Sequence, residues 1–172
     1  MLQVSQRAHY GLRAMTQLAK AYGEGPLSLA DIAGVERMPA GYLEQLAIPL
    51  RKAGLIEGTR GAHGGYRLAR PPADLTVGAV IRALEGPVAP VECLFVEYVP
   101  GSCVREPVCL SRSVWQRVKQ SVDQVLDSIT LAELCSTGGE RGVPAFVSIG
   151  DNRLNEAGDP CSIAGPSAGP GR

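Results

Sequence analysis

Residues 60–70, RGAHGGYRLAR, hold the pattern that decides the fold. Residues 55–59 and 66–69 have strand character and the glycine-rich segment between them reverses the chain, so the stretch predicts a β-hairpin. Gly61, Gly64 and Gly65 are expected to build its tip by accepting backbone angles that side chains disfavour. Arg60, His63, Arg67 and Arg70 cluster around that tip. The result is a narrow cationic hairpin suited to a DNA groove and its phosphates. A phosphate-binding loop is the competing reading, but such a loop joins a strand to a helix and continues into Gly-Lys-Ser/Thr, and neither condition holds here.

Upstream of the hairpin, a helix opening at Pro39 runs directly into the first strand. A proline at that position gives up only an amide that has no helical partner. Leu43, Leu46 and Leu50 fall on one face, leaving Tyr42, Glu44, Gln45, Arg51 and Lys52 elsewhere, which makes this the candidate recognition helix. Pro49 removes the hydrogen bond to the Gln45 carbonyl and is expected to kink the last turns. Earlier still, Ser28 followed by Asp31 resembles a capping box before a short helix through Ala33, with a turn over residues 34–38. Residues 5–22 carry Tyr10, Leu12, Met15, Leu18, Ala19 and Tyr22 at helical spacing and predict the first helix. Helix, turn, helix and hairpin together form a winged helix-turn-helix pattern, so the expected fold is mainly α with a small β-hairpin wing.

Charge agrees with that placement. The chain is neutral overall, but residues 1–70 hold nine Lys or Arg against five Asp or Glu, and residues 71–172 hold eight against twelve. Phosphate affinity is therefore expected at the N-terminal end. No run of eighteen apolar residues occurs and residues 1–10 lack the apolar stretch of a signal peptide, which predicts a soluble cytoplasmic protein with no membrane partner.

Past the wing, Thr76 caps a helix through Leu84, with Val77, Val80, Ile81 and Leu84 on one face and Gly86 stopping it. Residues 87–110 are irregular and hold Cys93, Cys103 and Cys109 at the spacing C-x9-C-x5-C. A long helix over residues 111–129 follows. Its apolar stripe of Trp115, Val118, Val122, Val125, Leu126 and Ile129 calls for a covering surface, which a second copy of the chain would supply. Thr130 and Glu133 form another capping box. Twelve of the last 37 residues are Gly or Pro, so a disordered tail is expected there. The expected organisation is a DNA-binding head over 1–85, a cysteine loop over 86–110, a dimerisation helix and short C-terminal helix over 111–135, and the tail over 136–172.

Five cysteines, an odd number, do not make a disulfide framework in a chain of this character. Three thiolates within seventeen residues favour an iron-sulfur cluster, zinc or copper(I), with one ligand position left open; unliganded loop thiols are the plainer reading. An enzyme is disfavoured because His9 and His63 are the only histidines and no catalytic triad or carboxylate pair accompanies the cysteines.

The order YLEQL, LRKAGLIEGTRGAHGGYRLAR, LTVGAVIRALEG, a three-cysteine loop and ITLAEL resembles the IscR, NsrR and CymR (Rrf-type) family of bacterial winged-helix regulators, over residues 1–137. The resemblance implies a homodimer whose long helices cross and whose two heads read a partly palindromic operator in double-stranded DNA, about one helical turn apart. Gly41, Glu44, Gln45, Arg60 and Gly61 match the family's DNA-contact positions, and Tyr42, Arg51 and His63 join them as candidates. The resemblance further implies an iron-sulfur cluster on Cys93, Cys103 and Cys109, [2Fe–2S] in preference to [4Fe–4S], sensing cluster supply, nitric oxide or redox state. Here the first cysteine gap is longer than is common in the family, and Arg112 stands where the IscR branch has a histidine ligand. A guanidinium has no lone pair to offer; in the NsrR branch an acidic residue on the first helix of the partner chain completes the site, so the resemblance makes His9 of the partner chain the candidate fourth ligand, with water, a small thiol or Glu92 as the alternative. The alternative is a cluster-free regulator controlled by thiol oxidation or a protein partner.

Overall fold

The computed structural model describes residues 4–61, 64–95 and 97–137. Helix α1 spans Gln6–Lys20 and is capped by Ser5, whose hydroxyl accepts from the Ala8 N–H at 3.1 Å. Helix α2 spans Leu29–Glu36, with Ser28 accepting from the Asp31 N–H at 3.1 Å. These side-chain oxygens satisfy amides that have no carbonyl partner within the helix. Helix α3 covers Ala40–Lys52, and strands β1, Ile56–Thr59, and β2, Gly65–Leu68, form the wing. Glu57 pairs with Arg67 and Thr59 with Gly65 in an antiparallel register. Helix α4, Val77–Glu85, starts at the Thr76 cap and stops at Gly86, whose φ of 81° suits glycine. Helix α5 is Leu110–Ser128 and α6 is Leu131–Thr137.

Two local expectations need correcting. Helix α2 does not stop at Ala33. It continues over Gly34 to Glu36 and closes through Arg37 in the left-handed conformation, φ 52° and ψ 50°. The Arg37 N–H then reaches the Gly34 carbonyl at 3.4 Å and the Met38 N–H the Ala33 carbonyl at 2.9 Å. This paired closure is a Schellman motif, with buried Met38 as its apolar seal. Pro49 lies inside α3, which runs on to Lys52 and bonds the Ala53 N–H to the Pro49 carbonyl at 2.9 Å.

The wing glycines form the second correction. Only Gly61, at φ 122°, needs a glycine for its backbone angle. Gly64 and Gly65 are required by close approach instead. A Cβ on Gly64 would strike the Thr59 carbonyl, and one on Gly65 the Leu27 carbonyl. The latter contact exists because Leu27 lies beside the wing, exchanging hydrogen bonds with Tyr66 at 2.8 and 2.9 Å. The hairpin is thus sewn to the segment that leads into α2.

Met15, Ile32, Leu43, Leu46, Leu75, Val80 and Leu131 are the fully buried side chains at the centre of the core. Each stabilises the fold by about 1.5–3 kcal/mol relative to exposure. Leu131 belongs to α6, so the head's core is completed by chain far beyond the wing. Backbone bonds fix that return, from the Val77 N–H to the Ile129 carbonyl and from the Leu131 N–H to the Leu75 carbonyl, both at 2.9 Å. The predicted Thr130–Glu133 capping box forms there, at 3.0 and 3.2 Å. Gly11 lets α1 approach α4 closely, since a Cβ would collide with the Leu84 side chain. Residues 138–172, which include Cys161 and nearly all of the expected tail, lie outside the described residues. Among the described residues no helix is long and apolar enough to cross a membrane.

Candidate DNA interface and cysteine loop

Helix α3 buries Leu43, Leu46, Ala47 and Leu50 and exposes Gly41, Glu44, Gln45 and Ile48 on its other side. The two sets follow from the 3.6-residue period, which returns every third or fourth position to one face. Among the described residues Glu44 and Gln45 make no side-chain hydrogen bond or ion pair, so their polar ends remain available to base edges. Tyr42 differs from them. It is half-buried, and its ring meets that of Tyr10 edge-on with centroids 5.8 Å apart, bracing α3 against α1. Arg51 and Lys52 are exposed in the last turn, where positive charge suits the helix dipole. The exposed Ile48 escaped the sequence reading, because an apolar residue in a helix is assigned by default to the core.

On the wing, Arg60 and Gly61 are exposed, and among the described residues no carboxylate pairs with Arg60. Arg67 is paired: its guanidinium lies 3.1 Å from Glu57, the residue opposite it in the sheet. Both partners are more than half exposed, so the pair contributes little stability. Its effect is to reduce the free cationic charge of the hairpin and leave Arg60 and Arg70 as the outward cations. His63 lies outside the described residues.

The cysteine loop contains two 3₁₀ turns, Glu92–Leu94 and Glu106–Val108. Cys103 is exposed, while Cys93 and Cys109 are partly covered. A clasp centred on Glu106 holds the loop together. One carboxylate oxygen accepts from the Gly101 N–H at 2.6 Å and the Tyr98 hydroxyl at 3.0 Å, and the other from Arg112 at 2.7 Å. The Arg112 guanidinium also lies over the Tyr98 ring, 5.9 Å from its centroid. The Gly101 amide, followed by Arg112, holds the Glu106 carboxyl below its ordinary range. Cys109 sits at the N-terminal boundary of α5, with its sulfur 3.4 Å from the Ser111 hydroxyl. That hydrogen bond, and the Arg112 amide after it, lower the thiol's pKa and favour the thiolate.

Cys93, Cys103 and Cys109 are not brought together as a ligand set. Among the described residues no three His, Cys, Asp or Glu side chains converge in a manner fit for a metal. The one carboxylate between the second and third cysteines is already engaged by the clasp. As arranged in the single chain, the loop does not fit an iron-sulfur cluster. His9 is exposed on α1, its ring beside that of Tyr10 at 5.8 Å. Cys135 is a partly buried thiol in α6, 3.8 Å from the Thr16 carbonyl, and burial raises its pKa.

The apolar stripe of α5 is only partly covered in the single chain, with Val118, Val122, Leu126 and Ile129 half-buried. Trp115 is 39% exposed and Val125 43%, and no residue of the helix is fully buried. Its other side meets α4 through polar contacts. Arg82 reaches Asp123 at 3.8 Å and also Asp127, and Asp123 in turn holds Lys119 at 2.6 Å.

Comparison with known proteins bears on the whole of this described region. The Rrf2 family, described as an iron-dependent transcriptional regulator, matches residues 4–137. The HTH-type transcriptional regulator CymR of Bacillus subtilis is 46% identical over 146 residues, spanning 84% of this chain and 99% of that protein. The regulator IscR of Aliivibrio salmonicida is 36% identical over 133 residues, 77% of each chain. The solved structure of CymR, the global cysteine regulator of B. subtilis, superposes with a TM-score of 0.65 at 45% identity, covering 79% of this chain and 98% of that one. T. potens IscR gives the same TM-score, 0.65, at 44% identity, covering 83% and 92%. The chain therefore belongs to the Rrf2 family of transcriptional regulators.

Proposed function

We propose that this regulator works as a homodimer on a partly palindromic DNA operator, and that the cysteine loop sets its affinity. In this reading α3 enters the major groove with Gly41, Glu44 and Gln45 at the base edges and Tyr42 at its flank. Arg51, Arg60, Gly61 and His63 lie along the sugar-phosphate backbone or the adjacent minor groove. The observation that supports it most is the free polar face of α3, where Glu44 and Gln45 have no partner among the described residues. A carboxylate near phosphates is repelled unless it accepts a hydrogen bond from cytosine N4, so Glu44 is a specificity residue more than an affinity residue. Binding measured by fluorescence anisotropy at several salt concentrations tests the assignment. Arg60→Ala should weaken binding to every duplex and reduce the salt slope by about one. Glu44→Ala should relax sequence preference with a smaller loss of total affinity. Unchanged slope and unchanged preference would sink the interface.

For the signal, the loop geometry supports thiol chemistry best. Cys103 is exposed and Cys109 is biased toward the thiolate by Ser111 and the Arg112 amide. Three thiols within seventeen residues, and the family's description as iron-dependent, favour a second reading. In that reading Cys93, Cys103 and Cys109 bind an iron-sulfur cluster, [2Fe–2S] in preference to [4Fe–4S], with the partner's His9 as fourth ligand. Protein purified without oxygen separates the two. Colourless protein with no iron or sulfide supports thiol sensing, while coloured protein with stoichiometric iron and sulfide supports the cluster. Under the cluster reading His9→Ala should change the visible spectrum.

A further inference from the structure

Every other large aliphatic side chain of α3 is buried, yet Ile48 is 64% exposed. Nothing in the fold asks for an isoleucine at that point. It is β-branched, which lowers helix propensity, and it precedes Pro49, which disfavours helical backbone at the residue before it. Local preference therefore works against the residue, and core packing does not require it.

Its position points outward in a defined way. Gly41, Glu44, Gln45 and Ile48 recur at intervals of three and four and share one face of the helix. Ile48 thus stands one turn beyond Glu44, about 6 Å along the axis at 1.5 Å per residue. Successive base pairs of B-DNA are spaced about 3.4 Å apart, so the two side chains reach bases roughly two pairs apart. In the major groove the one apolar group offered by any base edge is the C5-methyl of thymine. A β-branched side chain has few rotamers, so the methyl groups of Ile48 are already placed before binding and little entropy is lost on contact.

We infer that Ile48 is a specificity residue that takes the C5-methyl of a thymine, about two base pairs from the base contacted by Glu44. The inference rests on α3 being the recognition helix, as proposed above. It adds a hydrophobic element to a face otherwise read through hydrogen bonds. The pair Glu44 and Ile48 then selects a cytosine and a thymine at fixed separation in each half-site.

The experiment uses the full chain and a duplex selected by it from a randomised pool. Each thymine is replaced in turn by deoxyuridine, which removes one methyl and leaves pairing unchanged, and affinity is measured by anisotropy. Burial of one methyl-sized group is worth about 0.8 kcal/mol, so one thymine per half-site should lose about four-fold in affinity when replaced. Ile48→Ala should bind the thymine and deoxyuridine duplexes equally, and Ile48→Val should keep part of the difference. Circular dichroism checks that both variants remain folded. Equal tolerance of deoxyuridine at every thymine overturns the inference, as does an Ile48→Ala protein that retains the wild-type ratio. If Glu44→Ala and Arg60→Ala leave preference and salt slope unchanged, the recognition-helix reading has failed and this inference falls with it. If they behave as expected while the methyl effect is absent, only the role of Ile48 is lost.

Discussion

At the scale of single residues, Glu36 shows how local charge is settled by tertiary contact. It closes α2, at a helix C-terminus where a carboxylate is unfavourable. Arg13 answers it from α1, with Nε on the carboxylate at 2.7 Å and a second nitrogen on the Glu36 backbone carbonyl at 2.7 Å, and Gln17 donates to the other oxygen. Burial by itself would raise the Glu36 pKa, but the Gln17 and Arg13 hydrogen bonds and the Arg13 charge outweigh it and hold the carboxyl below its ordinary range. A carboxyl whose folded pKa is depressed stabilises the protein above its unfolded pKa, and that stabilisation fades as pH falls through the folded value. Thermal unfolding of wild type and Glu36→Gln should therefore differ most near neutral pH, by about 1.5 kcal/mol, and converge in acid once pH falls below the depressed folded value. A gap that persists unchanged in acid would remove the charge from the account. The sequence made Glu44, Gln45 and Arg60 legible as exposed polar residues, since pattern alone places them off the core face. It could not show that Arg67 is paired with Glu57, which depends on strand register, or that Gly65 is needed for a neighbouring carbonyl and not for its own angle.

At the scale of elements, starts were far easier to read than stops. Ser28, Thr76 and Thr130 are short-range signals whose oxygen atoms bond amides three residues on, so their helices begin where the sequence indicated. The end of α2 was not legible, because Gly34 looks like a terminator while the chain turns at Arg37 in a conformation unfavourable to any side chain. Packing of Met38 and the two closing hydrogen bonds overcome that cost. Arg37→Gly relieves it and should stabilise the fold by about 1 kcal/mol, raising Tm by a few degrees. A lower Tm would mean that the arginine side chain contributes more than its backbone costs. Pro49 stands inside α3, where its missing amide costs one bond, and the helix is held on both sides of it by Leu46 and Leu50 in the core.

At the scale of the whole molecule, the stripe from Trp115 to Ile129 is an apolar surface that the single chain covers only in part. Under the proposed dimer it meets its symmetry mate, and Val122→Glu should give monomers in sedimentation with much weaker operator binding. A fully dimeric variant would move the interface elsewhere. The cysteine loop was legible as a chemical site and not as a geometry, because a clasp made by Tyr98, Gly101, Glu106 and Arg112 has no sequence signature. The bonds at Leu75, Val77, Ile129 and Leu131 bear on how any signal could travel. They close residues 78–128 into a ring of chain that starts with α4 in the head, runs out through the cysteine loop and α5, and is clamped back into the head. A tether attached at one end can slacken, but a ring held at both ends passes on rotation. Turning α5 about its axis must pull on Arg82 through Asp123 and Asp127, and so on α4 beneath the core. For the same reason the ring cannot be cut without opening the head. A chain ending at residue 128 should lose Leu131 from the core and melt early and broadly, well before any question of dimerisation arises.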